Sequence, residues 1–365
     1  MLWLTRPAPP TLSLALQGGG AHGAFTWGVL DTLLAETDWP IEAISGTSAG
    51  ALNAVALAHG WLDGENSGGG GGGRAGARAA LERLWTALGA QLPFEYLTAG
   101  SAEQPTLAPA AQLAMSWMRA FSPYQFNPLG LNPLRELLAE QIDFAALRAH
   151  GRIRLYVAAT HANSGRLRLF ESHELTLDAL LASACLPALH HAVKIDGEPY
   201  WDGGYSANPA HYPLVRGGAR DLLAVTLMPS AFAHAPRSAQ EIRDRALEFA
   251  FSAPFLREST LLGETIARAR ASGWPHGRLE RRLRALRTHW IDGDGDLAHL
   301  DPQSRLIAHG PFLHRLRELG AERAAKWLRR HRASVGRRST ADYAAGAPDA
   351  TEGTDPTPAT PAAPA

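Results

Sequence analysis

The chain has 365 residues, 45% of them hydrophobic and 19% charged, the composition of a globular protein with a sizeable core in one large domain or two small ones. Thirty-five basic side chains balance thirty-five acidic ones, which excludes a global field that would gather nucleic acid. A single cysteine, Cys185, excludes an intramolecular disulfide and a thiolate cage for zinc.

The first residues, MLWLTRPAPP, lack the apolar h-region and cleavage pattern of a secretory signal, and no apolar run approaches the ~20 residues of a membrane span. The expected location is therefore cytoplasmic. Thr11–Gln17 alternates and reads as a strand, running into Gly18-Gly19-Gly20 and then a helix carrying Phe25, Val29, Leu30, Leu33 and Leu34. Ile41–Ser45 reads as a second strand. The tight turn Gly46-Thr47-Ser48-Ala49-Gly50 follows, then the apolar helical run Ala51–Ala58. The glycine tract Gly68–Gly73 predicts a mobile loop. Residues 75–150 read as a helical insertion broken by prolines and rich in Trp85, Phe94, Tyr96, Trp117 and Phe121, suited either to a lid over a pocket or to plain packing. Strands return at Ile153–Thr160, Leu167–Phe170, Val193–Ile195 and Leu222–Met228, with helices over Ile242–Ser272 and Phe312–His331. Strands alternating with helices predict a three-layer α/β/α fold. From 334 the composition turns to Ala, Pro, Thr, Gly and Asp, so the domain is expected over 1–333 and a disordered tail over 334–365.

Two glycine turns and one aspartate carry the chemistry. Ser48 stands at the centre of G-x-S-x-G, with Gly46 and Gly50 as its small neighbours. A serine at the tip of a sharp strand-to-helix turn stands clear of its neighbours. It also sits at a helix N-terminus, where developing negative charge is favoured. Gly18, Gly19, Gly20 and Gly23 fit G-x-G-x-x-G, but the acid that a dinucleotide site needs at the end of the second strand is missing. Asp38 lies at that strand's wrong end. Successive glycines also let backbone N–H groups converge on one point, as an oxyanion hole requires. Asp202, with Gly203 and Gly204 behind it and Tyr200, Trp201 and Tyr205 around it, is a carboxylate whose apolar surroundings raise its basicity.

These three motifs, in this order, resemble the patatin-like phospholipases, and Ala182-Ser183-Ala184-Cys185-Leu186-Pro187 resembles the stretch that precedes that family's aspartate. The resemblance implies a patatin-like α/β fold over about residues 11–310. It makes Ser48 the nucleophile, Asp202 its base in a catalytic dyad, and Gly18, Gly19 and Gly20 the oxyanion hole. It implies a serine lipid acyl hydrolase acting on a phospholipid or other lipid ester, with no cofactor and no metal. Two positions depart from the pattern: His22 stands where a lysine or arginine is common, and Gln17 where an acidic or small polar residue is. The same machinery would serve a thioesterase or a polyester depolymerase, and the alternative without catalysis is a nucleotide or lipid binder.

Other candidates are weaker. A Ser-His-Asp triad could draw on His211, His234, His276, His289, His299 or His309, none of which lies in a distinctive motif. His173-Glu174 lacks the second histidine of a zinc protease pair, and Asp292, Asp294 and Asp296 lack the glycine and glutamate of a calcium loop. The arginine-rich helix Phe312–His331 fits core packing with a solvated basic face better than a membrane surface. Peripheral membrane contact stays open, and nucleic acid is not expected as a partner.

Overall fold

The computed structural model describes residues 9–345 and 347–348, apart from 68–71, 91–97, 102, 119–120, 230, 233 and 275–276. The two β-rich runs become β1 (Leu12–Leu16) and β2 (Ile41–Thr47), followed by α1 (Gly23–Glu36) and α2 (Ala49–Asn66). The insertion holds α3 (Gly72–Ala90), a hairpin of β3 (Thr98–Gly100) and β4 (Pro105–Leu107), then α4 (Pro109–Met118), α5 (Pro123–Phe126), α6 (Pro133–Gln141) and α7 (Phe144–His150). Three prolines that look like interruptions in the sequence instead start helices, where a missing N–H costs nothing. The last two residues of the glycine tract, Gly72 and Gly73, belong to α3 rather than to a loop; the four before them lie outside the described residues.

After the insertion come β5 (Arg154–His161), β6 (Leu167–Glu171), α8 (Leu177–Ser183), β7 (Val193–Ile195) and β8 (Glu198–Asp202). The rest is α9 (Tyr212–Gly217), β9 (Asp221–Thr226), α10 (Ala239–Ala271), α11 (Arg278–Ala285), β10 (Arg287–Asp292), α12 (Asp294–Leu297) and α13 (Gly310–His331). The eight-stranded sheet runs β10-β9-β1-β2-β5-β8-β7, with β6 also on β5. Its β10-to-β5 half is parallel; β6, β7 and β8 are antiparallel additions.

Strand alternation sorts the core into two layers. Leu12, Leu14, Leu16, Leu223 and Val225 face α1, α2 and α13. Ala15, Leu222 and Ala224 face Leu214 of α9, Phe255 and Ile266 of α10, and Leu283 of α11. The fold is therefore the expected helix–sheet–helix sandwich. Helix α13 is core-packed: Phe312, Leu316, Trp327 and Leu328 are buried, each worth ~1.5–3 kcal/mol. It crosses α1 so closely that a Cβ at Gly28 would fall 1.9 Å from the Arg317 carbonyl oxygen, and one at Gly320 2.0 Å from that of Phe25.

Packing continues past the boundary expected at 333. The Gly336 N–H donates to Asp221 and the Thr340 N–H to the Thr288 carbonyl. Tyr343 is buried between α10 and β10, its hydroxyl donating to the His289 carbonyl. The segment covers the open edge of the sheet with hydrogen bonds and one aromatic ring, so its small polar composition gave no apolar periodicity to read. Of the expected tail, the residues from 349 on lie outside the described ones.

One feature of register places the site. Strand β6 occupies one edge of β5 from Tyr156 to Thr160. The other edge is shared: β2 pairs with it up to Ala158, opposite Thr47, and β8 takes over at Ala159, opposite Asp202. Strands β2 and β8 thus run toward each other along the same edge, and their ends meet.

Candidate active site

Ser48 is the first residue past the end of β2 and Asp202 the last of β8, so the shared edge of β5 brings together two side chains far apart in sequence. Ser48 has φ 53° and ψ −124°, a conformation that L-residues rarely adopt. The turn is held by its neighbours: the Ser48 N–H donates to Ser183 Oγ at 2.9 Å, and Thr47 Oγ1 to the Ala207 carbonyl at 2.7 Å. The A-S-x-x-x-P segment therefore has a physical task, since Ser183 braces the elbow. A Cβ at Gly46 would sit 2.6 Å from the Gly50 carbonyl oxygen, and one at Gly50 2.2 Å from that of Leu16. The two outer glycines are required by close approach.

Asp202 is fully buried. Oδ1 accepts the Gly204 N–H at 2.7 Å, and the backbone of Asp202 is pinned by Cys185 and Thr160. Burial raises its pKa to about 7, against the smaller opposing effects of the Gly204 N–H and the Ser48 hydroxyl. Oδ2 has no hydrogen bond of good geometry. The Ser48–Asp202 contact is thus looser than a formed hydrogen bond, as is common at resting sites that tighten around a substrate. Gly203 lies against the Ala158 carbonyl, and a Cβ at Gly204 would strike the Phe251 ring at 2.2 Å. Both glycines of the D-G-G motif are fixed by contact.

Of the three glycines expected to donate to an oxyanion, Gly18 does not qualify. Its N–H is taken by Asn208 Oδ1 at 2.7 Å. A Cβ there would also collide with the Ser48 side chain at 2.7 Å, so Gly18 lets β1's turn approach the elbow. Gly19 and Gly20, by contrast, line a cavity of about 180 Å³ together with Ser48 and Asp202. Gln17, the second departure from the motif, ties this turn down. Its Oε1 accepts the N–H groups of Leu227 and Met228, and its Nε2 donates to the Asn208 carbonyl. Gly23 is a contact glycine, its Cβ position 2.5 Å from that of Ala49.

The rest of the cavity comes from residues the motifs did not announce. Helix α10 contributes Asp244, Leu247, Glu248 and Phe251; the short 3-10 helix Pro302–Leu306 contributes Pro302, Gln303, Arg305 and Leu306; Leu186 and Met228 complete it. Glu248 and Arg305 form an ion pair at 2.9 Å. His22 is buried beside them, bonded to Ser304 Oγ at 2.8 Å. Burial first, then Arg305 and His299, depress its pKa to about 3, so it is neutral. The positive charge near the glycine turn stands at Arg305 instead.

Among the described residues, none of the insertion walls this cavity. Trp85 is buried and donates to Asn53 Oδ1, Trp117 and Phe121 are exposed, and Phe94 and Tyr96 lie outside the described residues. No histidine lines the cavity among the described residues: His211 bonds Ser259, and His289 is held by Asp221 and Thr340. His276 lies outside the described residues. Asp296 is paired with Arg323, and Asp292 accepts the Asp294 N–H, so these aspartates are occupied locally. Among the described residues no group of three or more metal-ligating side chains is gathered.

A family model described as patatin-like phospholipase matches residues 14–214, more than half of the chain. Among curated proteins, the uncharacterized protein YjjU of Escherichia coli K12 is 26% identical over 232 residues, covering 63% of this chain and 55% of its own length. The chain therefore spans about half of that relative. Among solved structures, VipD from Legionella pneumophila aligns over 87% of this chain and 68% of its own, at 15% identity and a TM-score of 0.34. ExoU from Pseudomonas aeruginosa, in its complex with SpcU, aligns over 87% and 53%, at 17% identity and a TM-score of 0.29. Neither of these likenesses is close enough to carry residue roles across.

Proposed function

The chain belongs to the patatin-like phospholipase family, and on that premise we propose that it is a serine lipid acyl hydrolase working through a Ser48–Asp202 dyad. The observation that carries this reading is the meeting of Ser48, Asp202, Gly19 and Gly20 around one cavity. Asp202 accepts the Ser48 proton as Oγ attacks the ester carbonyl. The N–H groups of Gly19 and Gly20 hold the oxyanion, a role in which one donor is typically worth ~10²–10³ in rate. The alcohol leaves with the proton from Asp202, and acyl-Ser48 remains. Asp202 then takes a proton from the water that attacks the acyl carbon, and returns it to Ser48 Oγ as the bond to serine breaks and the carboxylic acid departs. A buried carboxylate with a pKa of about 7 suits both halves of this cycle, because a base works best near the operating pH.

The apolar side chains of Leu186, Leu247, Phe251 and Leu306 around the dyad favour an acyl chain in the cavity, hence a lipid ester rather than a small polar one. The catalytic unit is taken to run from β1 through Tyr343, with the insertion as part of it. No described helix is long and apolar enough to cross a membrane, so contact with lipid would be peripheral. The test is labelling with a fluorophosphonate and mass-spectrometric mapping of the adduct. Ser48 should carry it in the wild type, weakly in Asp202→Asn, and no site in Ser48→Ala. Retained ester turnover by a folded Ser48→Ala protein would end the proposal.

A further inference from the structure

A second and larger cavity, of about 510 Å³, lies away from the dyad, between helices α9, α10 and α11. This size is ordinary for small-molecule sites. Its walls are mostly apolar: Val215 from α9, Leu261 and Leu262 from α10, and Leu279 from α11. Leu261 is 66% exposed and Leu279 56%, so two large apolar side chains face water around one trough.

The rim is cationic. Arg216, Arg278 and Arg282 line it. Arg216 is paired with Glu171 at 2.8 Å. Arg282 donates to the Arg216 carbonyl at 2.9 Å, and among the described residues no carboxylate stands within ion-pair distance of Arg278 or Arg282. One acid, Glu258, lines the trough. Its Oε1 accepts the N–H groups of His211 and Tyr212 at 2.9 and 2.6 Å, and burial raises its pKa, which weakens its competition for the arginines. An apolar trough lined by two guanidinium groups with no carboxylate partner among the described residues complements a molecule with one long apolar chain and one planar anionic head, because guanidinium matches carboxylate in two parallel hydrogen bonds.

We propose that this trough binds a long-chain fatty acid, with its carboxylate at Arg278 and Arg282 and its chain along Leu261, Leu262 and Leu279. The site is separate from the dyad, and it stands whether or not Ser48 is a nucleophile. If the hydrolysis proposed above holds, the ligand is of the same chemical class as the released product.

The experiment is calorimetric titration of the full-length protein with oleate below its micellar concentration. Oleate should bind the wild type and Ser48→Ala alike, at least tenfold more weakly in Arg278→Ala/Arg282→Ala, and more weakly in Leu279→Glu, which places a like charge in the trough. Oleyl alcohol, with the same chain and no charge, should bind at least tenfold more weakly than oleate. Circular dichroism of the two exposed-site variants separates lost binding from lost fold. Unchanged oleate affinity in the double arginine variant would overturn the proposal. So would binding confined to phosphatidylglycerol vesicles with none to monomeric oleate, which would mark a membrane-facing surface instead.

Discussion

Two ends of the same sheet each bury an aspartate completely, and they treat it in opposite ways. Asp221 opens β9, at the end of the sheet where the parallel strands begin. Burial alone would raise its pKa, but Arg287, His289 and the Gly336 N–H outweigh that and hold it well below the usual carboxylate range. Asp202 closes β8 at the opposite end, where β2 finishes, with one N–H and a loosely placed serine, and its pKa is raised to about 7. Fully partnered, a buried carboxylate is a structural anchor. Left short of partners beside a cavity, it has the raised basicity that the proposed chemistry uses.

Exchanging the two groups for asparagine breaks this comparison most sharply. Asp202→Asn should lower kcat/KM on a fatty-acyl ester by ~10³-fold and raise the melting temperature at pH 8 by a few degrees, since an ionised buried group is removed. Asp221→Asn should do the reverse. It leaves Arg287 without its charge partner at a cost of ~3 kcal/mol in chemical denaturation, while kcat per folded molecule stays within about threefold of wild type. A comparable loss of activity in both variants would deny the division of labour.

The pH dependence sharpens the same contrast. Because Asp202 must be ionised to accept the Ser48 proton, kcat/KM should rise through pH 7 and level off above it. For stability the sign is opposite. The folded state binds the Asp202 proton more tightly than the unfolded chain, so this contribution is complete below the ordinary value of 3.8 and is lost as pH rises to about 7. Asp221, with its pKa lowered, contributes fully above its ordinary 3.8 and is lost as pH falls below it. Urea midpoints of wild type, Asp202→Asn and Asp221→Asn across pH 3–9 would separate the two slopes. A smaller effect is expected at the brace of the elbow. Ser183→Ala removes the acceptor of the buried Ser48 N–H, which should cost ~1–3 kcal/mol of stability and a moderate loss in kcat with little change in KM.

Most of the sheet is legible in the sequence: the antiparallel β6 and β7 as short β-rich runs, and the parallel βα units because each writes its signature locally. β1 and β2 are apolar runs, the turns after them are glycines, and the helices carry continuous apolar faces. Two strands, one from each half, are not legible. Strand β8, Glu198–Asp202, contains a proline and two acids and shows no apolar run, yet its end carries one half of the proposed dyad. Strand β10, Arg287–Asp292, has polar residues whose partners, Asp221 and the segment after Ser334, are distant in sequence. Motif spacing pointed to Ser48 and Asp202 but not to the occupancy of the Gly18 N–H, which depends on Asn208. Nor could it point to the wall built by α10, because a helix pattern says which face is apolar and not what that face covers. The insertion shows the converse: its exposed aromatics attract attention in the sequence and take no part in the cavity.

The backbone of Ser48 has a consequence for selection. A left-handed φ at a residue with a Cβ costs on the order of 1–3 kcal/mol, and the surrounding contacts hold it in place. Ser48→Gly should therefore melt above the wild type, relief of strain exceeding the ~0.5–1 kcal/mol of added chain entropy. The natural sequence, on this account, sits below its own thermal optimum at the position where the proposed chemistry requires a hydroxyl. A screen for heat resistance alone would drift toward an inert protein.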